Sequence, residues 1–505
     1  ELEKARSAFL GEEYHKSLRM FERAVKRQPN NMMALTDAAR AFGQRYEIET
    51  AFKLVQRMLN LGNKNPEVRF LAGQTLRMIH RADEALPQFR AAVSSGQAPP
   101  AAHLELAVLL ERRHMLDEAK EQIERYLALD HDNPEAVLLK ARILRRADKQ
   151  EDAAAIYHQL SERNGCPSFT RAQALNEWAN MLDALGDYKG AWKKLMLSKS
   201  LIAKLPESEQ AQLRCACERA ALEHLTESVF PEHMERWMDR EPSITHKSVL
   251  LTGCPRSGTT LIEKILDAHP EVISADELGA FTNYILPGLV KGKRDDRGFF
   301  DAETLDKLSP VRLKREEKRY LRYLQAALNE KIGDRILVDK NPSVTFMIPA
   351  HQRVWPRNRI LYALRDPRDV AISCFFRWLP INSMSVRFHK LEDTCKRTAE
   401  ELDCWLRLRK MLPDGSWHET RYENTVANYE DESRAVLQWM GLDWNDAVSN
   451  YRSHMEKRGV NSPTYEAVTQ PIYKGAIGRW KNYRAYLEPH LEILEPCIEA
   501  IGYEL

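Results

Sequence analysis

The sequence predicts a chain in two parts: an all-α solenoid of helical repeats, then an α/β domain with a parallel sheet and a phosphate-binding loop. Three observations predict it. A 34-residue period runs through the first 205 residues, a strand-loop-helix signature follows at 248–266, and strand-like and helix-like patterns alternate after that.

Pro66, Pro100 and Pro134 stand 34 residues apart, and two amphipathic helical stretches follow each. Counting each proline as position one, position eight is Gly73, Ala107 and Ala141, and position twenty is Ala85, Ala119 and Ala153. Small residues fall where paired helices must approach closely. One period earlier, Met32 opens a unit with Ala39 and Ala51, and before it lies a partial unit with Ala5, Ser17, Phe21, Ala24 and Pro29. A four-residue insertion leads to a sixth unit near Ala172, with Ala179, the turn Gly186-Asp187-Tyr188 and Ala191. This is the tetratricopeptide period, in about five and a half units. The array is expected over 1–205, a helical connector over 206–245 and the α/β domain over 246–505. Stacked repeats form a concave surface that often binds peptides; stabilising a neighbouring domain, or self-association into a homodimer, is the plainer role.

Composition bounds the function. A chain of 505 residues exceeds one ordinary core. With 75 basic and 73 acidic residues, no global charge excess drives binding to nucleic acid or membrane. The eight cysteines are scattered and lack zinc-site spacing, which fits buried thiols of a reducing compartment and no metal. No run of about 18 apolar residues occurs, and Glu1-Leu2-Glu3-Lys4 is not a signal peptide. A soluble, cytoplasmic protein without a membrane segment is expected; because the chain opens within a repeat, a preceding leader or anchor stays open.

The stretch Gly253-Cys254-Pro255-Arg256-Ser257-Gly258-Thr259-Thr260 has the G-x-x-x-x-G spacing of a nucleotide loop but Thr-Thr where a lysine and a magnesium-binding hydroxyl would follow. Its backbone N–H groups and the helix it opens would still hold an anion, and Arg256 adds a cation. The missing lysine argues against a triphosphate donor. Two more motifs follow strand-like runs: Asp339-Lys340-Asn341-Pro342 after 335–338, and Arg365-Asp366-Pro367-Arg368-Asp369-Val370-Ala371-Ile372-Ser373 after 359–364. Ligands of parallel sheets bind at such strand ends. Arg365, Ser373 and Arg377 together would suit a second phosphate, Ser373 and Arg377 sharing one helix face. The plainer reading pairs Arg365 with Asp366 or Asp369 to hold the strand-helix junction.

These motifs carry a resemblance. Residues 248–280, with C-P-R-S-G-T-T-L-I-E-K-I-L-D-A-H-P-E-V at 254–272, R-D-P-R-D-x-x-x-S at 365–373 and Q-P-I-Y…R-W near the C-terminus, resemble the sulfotransferases that use 3′-phosphoadenosine 5′-phosphosulfate. The chain is most similar to tetratricopeptide-containing bacterial members and, over about 248–485, to protein-tyrosine sulfotransferases. The resemblance implies that Pro255, Arg256, Ser257, Gly258, Thr259 and Thr260 bind the 5′-phosphosulfate, and that Arg365 and Ser373 bind the 3′-phosphate. It adds Arg377, Tyr422 and Arg479 to the nucleotide site, and a loop from Thr464 to Tyr473 closing over it. Thr464 stands where the family often has serine, and Asp276 where it often has glycine.

Sulfuryl transfer needs a base at the acceptor hydroxyl and cations at the leaving oxygen. The resemblance and its position beyond the loop helix make Glu277 the expected base, with Asp276 the competitor. Arg256 and Lys340 are expected to stabilise the leaving group, with Thr464 assisting. His269, in Asp267-Ala268-His269-Pro270, is expected to be structural. A peptide or protein tyrosine is the expected acceptor, with a glycan or small hydroxyl compound as the alternative. A nucleotide-dependent kinase and a non-catalytic scaffold are the readings of other classes.

Overall fold

The computed structural model describes residues 1–11, 13–242, 246–328, 330–458 and 474–505. The chain forms two compact units, Glu1–Cys166 and Pro167–Leu505.

The first unit holds the helices Leu2–Leu10, Tyr14–Arg27, Met32–Gln44, Ile48–Gly62, Pro66–Met78, Ala82–Val93, Ala101–Arg112, Leu116–Leu129, Pro134–Arg146 and Gln150–Glu162. They pack as successive pairs. The turn within a pair repeats to the residue: Tyr46, His80, His114 and Asp148 all take the left-handed conformation, with φ of 57, 62, 60 and 57°. The next residue's N–H closes back to the carbonyl five earlier, as from Glu47 to Phe42 at 3.0 Å and from Met115 to Leu110 at 2.9 Å, the ending that stops a helix through one left-handed residue. Asn31, Asn65 and Asn133, also in phase, cap first-turn N–H groups with their side-chain oxygens. Ala39, Ala51, Ala85, Ala107, Ala119, Ala141 and Ala153 are fully buried. At Gly73 an added Cβ would lie 2.7 Å from the Phe89 ring, so only hydrogen fits between these two helices.

The second unit opens with the helices Ser168–Ala184 and Tyr188–Ile202, then Pro206–Ser228 and Pro231–Met238. The first two repeat the motif, with Gly186 at φ 83° and buried Ala179 and Ala191. Gly186 lies 38 positions after Asp148, the period plus four. This last pair packs inside the second unit: the Asn176 and Asn180 amides donate to the Phe376 carbonyl at 3.1 and 3.2 Å, and Trp192 stacks on Tyr486 at 4.2 Å.

Strands β1 (Ser248–Gly253), β2 (Val272–Ala275), β3 (Ile336–Lys340), β4 (Arg359–Leu364) and β5 (Trp417–Arg421) form a parallel sheet in the order β2-β3-β1-β4-β5. Alternate residues serve its two faces. Val249, Leu251, Val338, Leu361 and Ala363 pack with Ile262, Ile265 and Leu266 of the helix Thr259–Asp267 and with Val436 and Leu437. On the other face Tyr362 stacks on Trp405 at 4.2 Å, and Tyr320 hydrogen-bonds Asp339. Because β3 and β4 lie on opposite sides of β1, the chain leaves β1's C-terminal end in the crevice between divergent connections, where ligands of open parallel sheets bind. No described helix is long and apolar enough to cross a membrane.

Candidate active site

The loop from Gly253 to Thr260 fills that crevice, and its backbone explains its glycines. Gly253 has φ 146°, and a Cβ there would meet the Ala363 carbonyl oxygen at 2.5 Å. Gly258 has φ 97°, and a Cβ there would meet Cδ2 of Tyr422 at 2.6 Å. Arg256 is itself left-handed, with φ 70°. The helix Thr259–Asp267 starts directly after Gly258, so its first N–H groups lack intrahelical acceptors and favour negative charge. Ser257 Oγ is buried without a partner among the described residues.

Arginines converge on this loop. Arg365, at the end of β4, donates from Nη1 to the Arg256 carbonyl at 2.9 Å and from Nη2 to the Ala476 carbonyl at 2.5 Å, its guanidinium lying 4.6 Å over the Tyr422 ring. Its buried Nε has no partner among the described residues. Arg256 Nε donates to Ser373 Oγ at 3.1 Å, joining the loop to the helix Pro367–Phe376. Arg377 directly follows that helix. Burial, and then the charges of Arg377, Arg365 and Arg479, push the Arg256 guanidinium down to about 9. A guanidinium so disfavoured calls for a bound anion to balance it.

The acids close by already have partners. Asp369 accepts from the N–H groups of Gly478 and Trp480 at 2.7 and 2.8 Å and stands 3.9 Å from Arg365. Asp366 caps its helix and pairs with Arg368 at 2.9 Å. Arg479 pairs with Asp183 of the last helical pair at 3.0 Å and lies 4.4 Å over the Phe376 ring.

On the other side of the loop helix, Lys340 ends β3 in full burial. Its Nζ lies 2.7 Å from Asp276, 3.0 Å from Glu263, 3.2 Å from Glu277 and 3.3 Å from Thr260 Oγ1. Burial alone would lower this ammonium, but Glu263, Asp276 and Glu277 outweigh it and raise it above its ordinary value. Burial likewise opposes the charge of Asp276, yet Lys340 and Lys264 hold its carboxyl well below the carboxylate range. Glu263 also accepts from Ser274 Oγ at 2.5 Å. The arrangement keeps a lysine charged at a strand end, next to a loop that favours anions.

The structure thus brings Arg256, Ser373 and Arg365 into contact around the loop, with Tyr422 beneath, and separately groups Lys340, Glu277, Asp276 and Thr260. His269 is structural: Nε2 bonds the Asp443 carbonyl at 3.0 Å, and Nδ1 accepts from the Glu271 N–H at 3.1 Å. Thr464, with the whole segment to Tyr473, lies outside the described residues. Sequence reasoning passed over Glu263, hidden in the apolar run Leu261-Ile262-Glu263-Lys264-Ile265-Leu266, where two charged residues on a buried helix were the available signal. It also passed over Asp183, whose partner lies 296 positions away.

Residues 248–446 match the sulfotransferase family. Among related sequences, an uncharacterized protein of Aquifex aeolicus is 26% identical over 89% of this chain and 57% of its own length. The chain thus spans little more than half of that relative. Protein-tyrosine sulfotransferase 1 of Danio rerio is 23% identical over 51% of this chain and 72% of its own. Among solved structures, the sulfotransferase domain of the Synechococcus PCC 7002 olefin synthase aligns with a TM-score of 0.38 and 17% identity, covering 53% of this chain and all of that domain. The stretch that matches the family model begins at β1 and includes the loop, Glu277, Lys340, Arg365, Ser373 and Tyr422.

Proposed function

We propose that the chain transfers a sulfuryl group from 3′-phosphoadenosine 5′-phosphosulfate to a hydroxyl acceptor, a tyrosine of a peptide or protein, with the repeat array helping to present it. What carries this reading is the cluster at the ends of adjacent strands β1 and β4, where Arg256 bonds Ser373 and Arg365 bonds the Arg256 carbonyl; in it we assign one anion grip to the lysine-free loop with Arg256 and a second to Arg365 with Ser373 and Arg377. A nucleotide phosphorylated at both ends matches two grips, and a donor without β,γ-phosphates explains the absent loop lysine. Arg365 Nε and Ser257 Oγ, buried and without a hydrogen-bond partner among the described residues, fit phosphate oxygens. The name shared by the tyrosine-modifying relatives supports the acceptor class.

In this reading the acceptor oxygen bonds to sulfur as the bond from sulfur to the bridging phosphate oxygen breaks. Glu277 takes the hydroxyl proton. Arg256 and Lys340 stabilise the charge left on the bridging oxygen, assisted by Thr464. Asp276 suits the base role poorly, because the two lysines that hold it ionised also make it a poor proton acceptor near neutrality.

The test has two parts. Calorimetry should show 3′-phosphoadenosine 5′-phosphate binding to the purified protein, and an absence of binding would reject the reading. Glu277→Ala should keep that binding and lose turnover on tyrosine peptides by roughly a hundredfold or more; undiminished turnover would remove Glu277 from the base role.

A further inference from the structure

The helix Thr259–Asp267 buries a carboxylate, Glu263, that takes no part in the proton transfer or in the grips on the nucleotide. Thr260, Glu263, Lys264 and Asp267 stand at i, i+3, i+4 and i+7, one face of the helix, and all of them are buried. A buried ionised carboxylate is costly unless something specific balances it. For Glu263 the balance is divided between two strands. Oε1 accepts from Ser274 Oγ of β2 at 2.5 Å and lies 3.4 Å from Lys264 Nζ. Oε2 stands 3.0 Å from Lys340 Nζ of β3, out of line for a hydrogen bond, and receives none from the described residues. Charge on charge is what joins Glu263 to Lys340.

Ser274 is tied twice to the same helix, since its N–H also donates to Asp267 Oδ1 at 2.7 Å. Strand β2 ends one residue later, and Asp276 and Glu277 follow directly. Glu263 thus connects the loop helix, the strand that leads to Glu277, and the lysine at the end of β3. That lysine needs an anchor. Its Nζ lies within 3.3 Å of oxygens of Asp276, Glu263, Glu277 and Thr260, more than an ammonium has protons to serve. To meet a leaving oxygen it must give up a partner, and Glu277 must be released to take a proton. The Asp276 and Glu277 side chains are 21% and 33% exposed, whereas that of Glu263 is fully buried and fixed by Ser274. Glu263 is the partner that stays.

We propose that Glu263 is the positioning residue of Lys340, holding the ammonium in place while its contacts with Glu277 and Thr260 are exchanged for the bridging oxygen of the donor. This rests on the sulfuryl-transfer reading made above. Glu263 touches neither substrate, so its effect on turnover passes entirely through Lys340.

The experiment measures sulfate transfer from 3′-phosphoadenosine 5′-phosphosulfate to a tyrosine peptide by wild type, Glu263→Gln, Lys340→Met and the double variant. Glu263→Gln is expected to lower kcat roughly tenfold or more with the KM for the donor unchanged, a split that a general loss of structure does not give. In Lys340→Met the same substitution should lower kcat no further, because the residue it acts through is gone. Urea midpoints report the pair without turnover: Glu263→Gln lowers the midpoint of the wild type and lowers it less in Lys340→Met. Ser274→Ala keeps every charge and removes only the hydroxyl that fixes Glu263. It carries the test where Glu263→Gln does not fold, and is expected to lower kcat roughly threefold or more. Wild-type kcat in Glu263→Gln or in Ser274→Ala, a rise in KM that accounts for the loss, or equal losses in both backgrounds overturns the proposal. A wild type that neither binds 3′-phosphoadenosine 5′-phosphate nor transfers sulfate instead overturns the sulfuryl-transfer reading.

Discussion

Position 258 admits glycine for two separate reasons. Its φ of 97° is unfavourable for any side chain, and a Cβ would enter the Tyr422 ring. Gly258→Ala should therefore shift either the loop or Tyr422, the platform under Arg365, and weaken nucleotide binding by roughly tenfold or more; calorimetry checks this, and unchanged affinity would show that the loop tolerates the shift. The lysine cluster yields a second prediction, through pH. Asp276 is held below the carboxylate range, so its contribution to stability is complete above the unfolded value of about 4 and is lost as pH falls toward the folded one. Urea midpoints should fall between about pH 4 and pH 2 more steeply for the wild type than for Asp276→Asn, and equal slopes would refute the coupling. Lys340, raised rather than lowered, keeps its contribution through this range and loses it only in strong alkali. Arg256, Lys340, Arg365 and Ser373 were legible because each sits in a motif directly after an apolar strand run. Glu263 was not, because its helix reads as apolar and nothing local reports that a lysine of β3 comes within 3.0 Å of it.

Among the elements, the helical pairs were the most legible, since each repeat encodes the same close contact with small residues at the same two positions. The left-handed turn was less so: Tyr46, His80, His114 and Asp148 share a conformation but no chemistry, so only the structure reveals their common phase. Two strands escaped for different reasons. Strand β2 is four residues long, too short to show a period, and β5, Trp417-His418-Glu419-Thr420-Arg421, is a polar edge strand with a neighbour on one side only. Helix-pair packing gives a sharp test at Gly73, where a side chain must displace the fully buried Phe89 ring. Gly73→Val should destabilise the first unit by about 1–3 kcal/mol through overpacking, read as a lowered urea midpoint. A midpoint unchanged or raised would mean that the two helices part without cost.

For the molecule as a whole, the repeat period and the packing divide the chain in different places. The period carries the helical array to residue 205, whereas the second compact unit begins at Pro167. The last helical pair therefore has repeat sequence but belongs by contact with the sheet domain. Its Asn176 and Asn180 amides satisfy the Phe376 carbonyl at the end of the helix bearing Ser373. Its Asp183 accepts from the Tyr483 hydroxyl at 2.5 Å and pairs with Arg479, and Trp192 covers Phe375, Tyr483 and Tyr486. Removing the pair would uncover these rings and leave Arg479 without its carboxylate, a loss of both packing and charge balance beside the arginine cluster. A fragment of residues 167–505 should then fold cooperatively and bind 3′-phosphoadenosine 5′-phosphate within about threefold of the full chain, while a fragment of residues 206–505 should lose cooperative unfolding and binding together. Thermal denaturation and calorimetry on the two fragments distinguish the outcomes, and tight binding by the shorter one would show that the final repeat is dispensable to the nucleotide site.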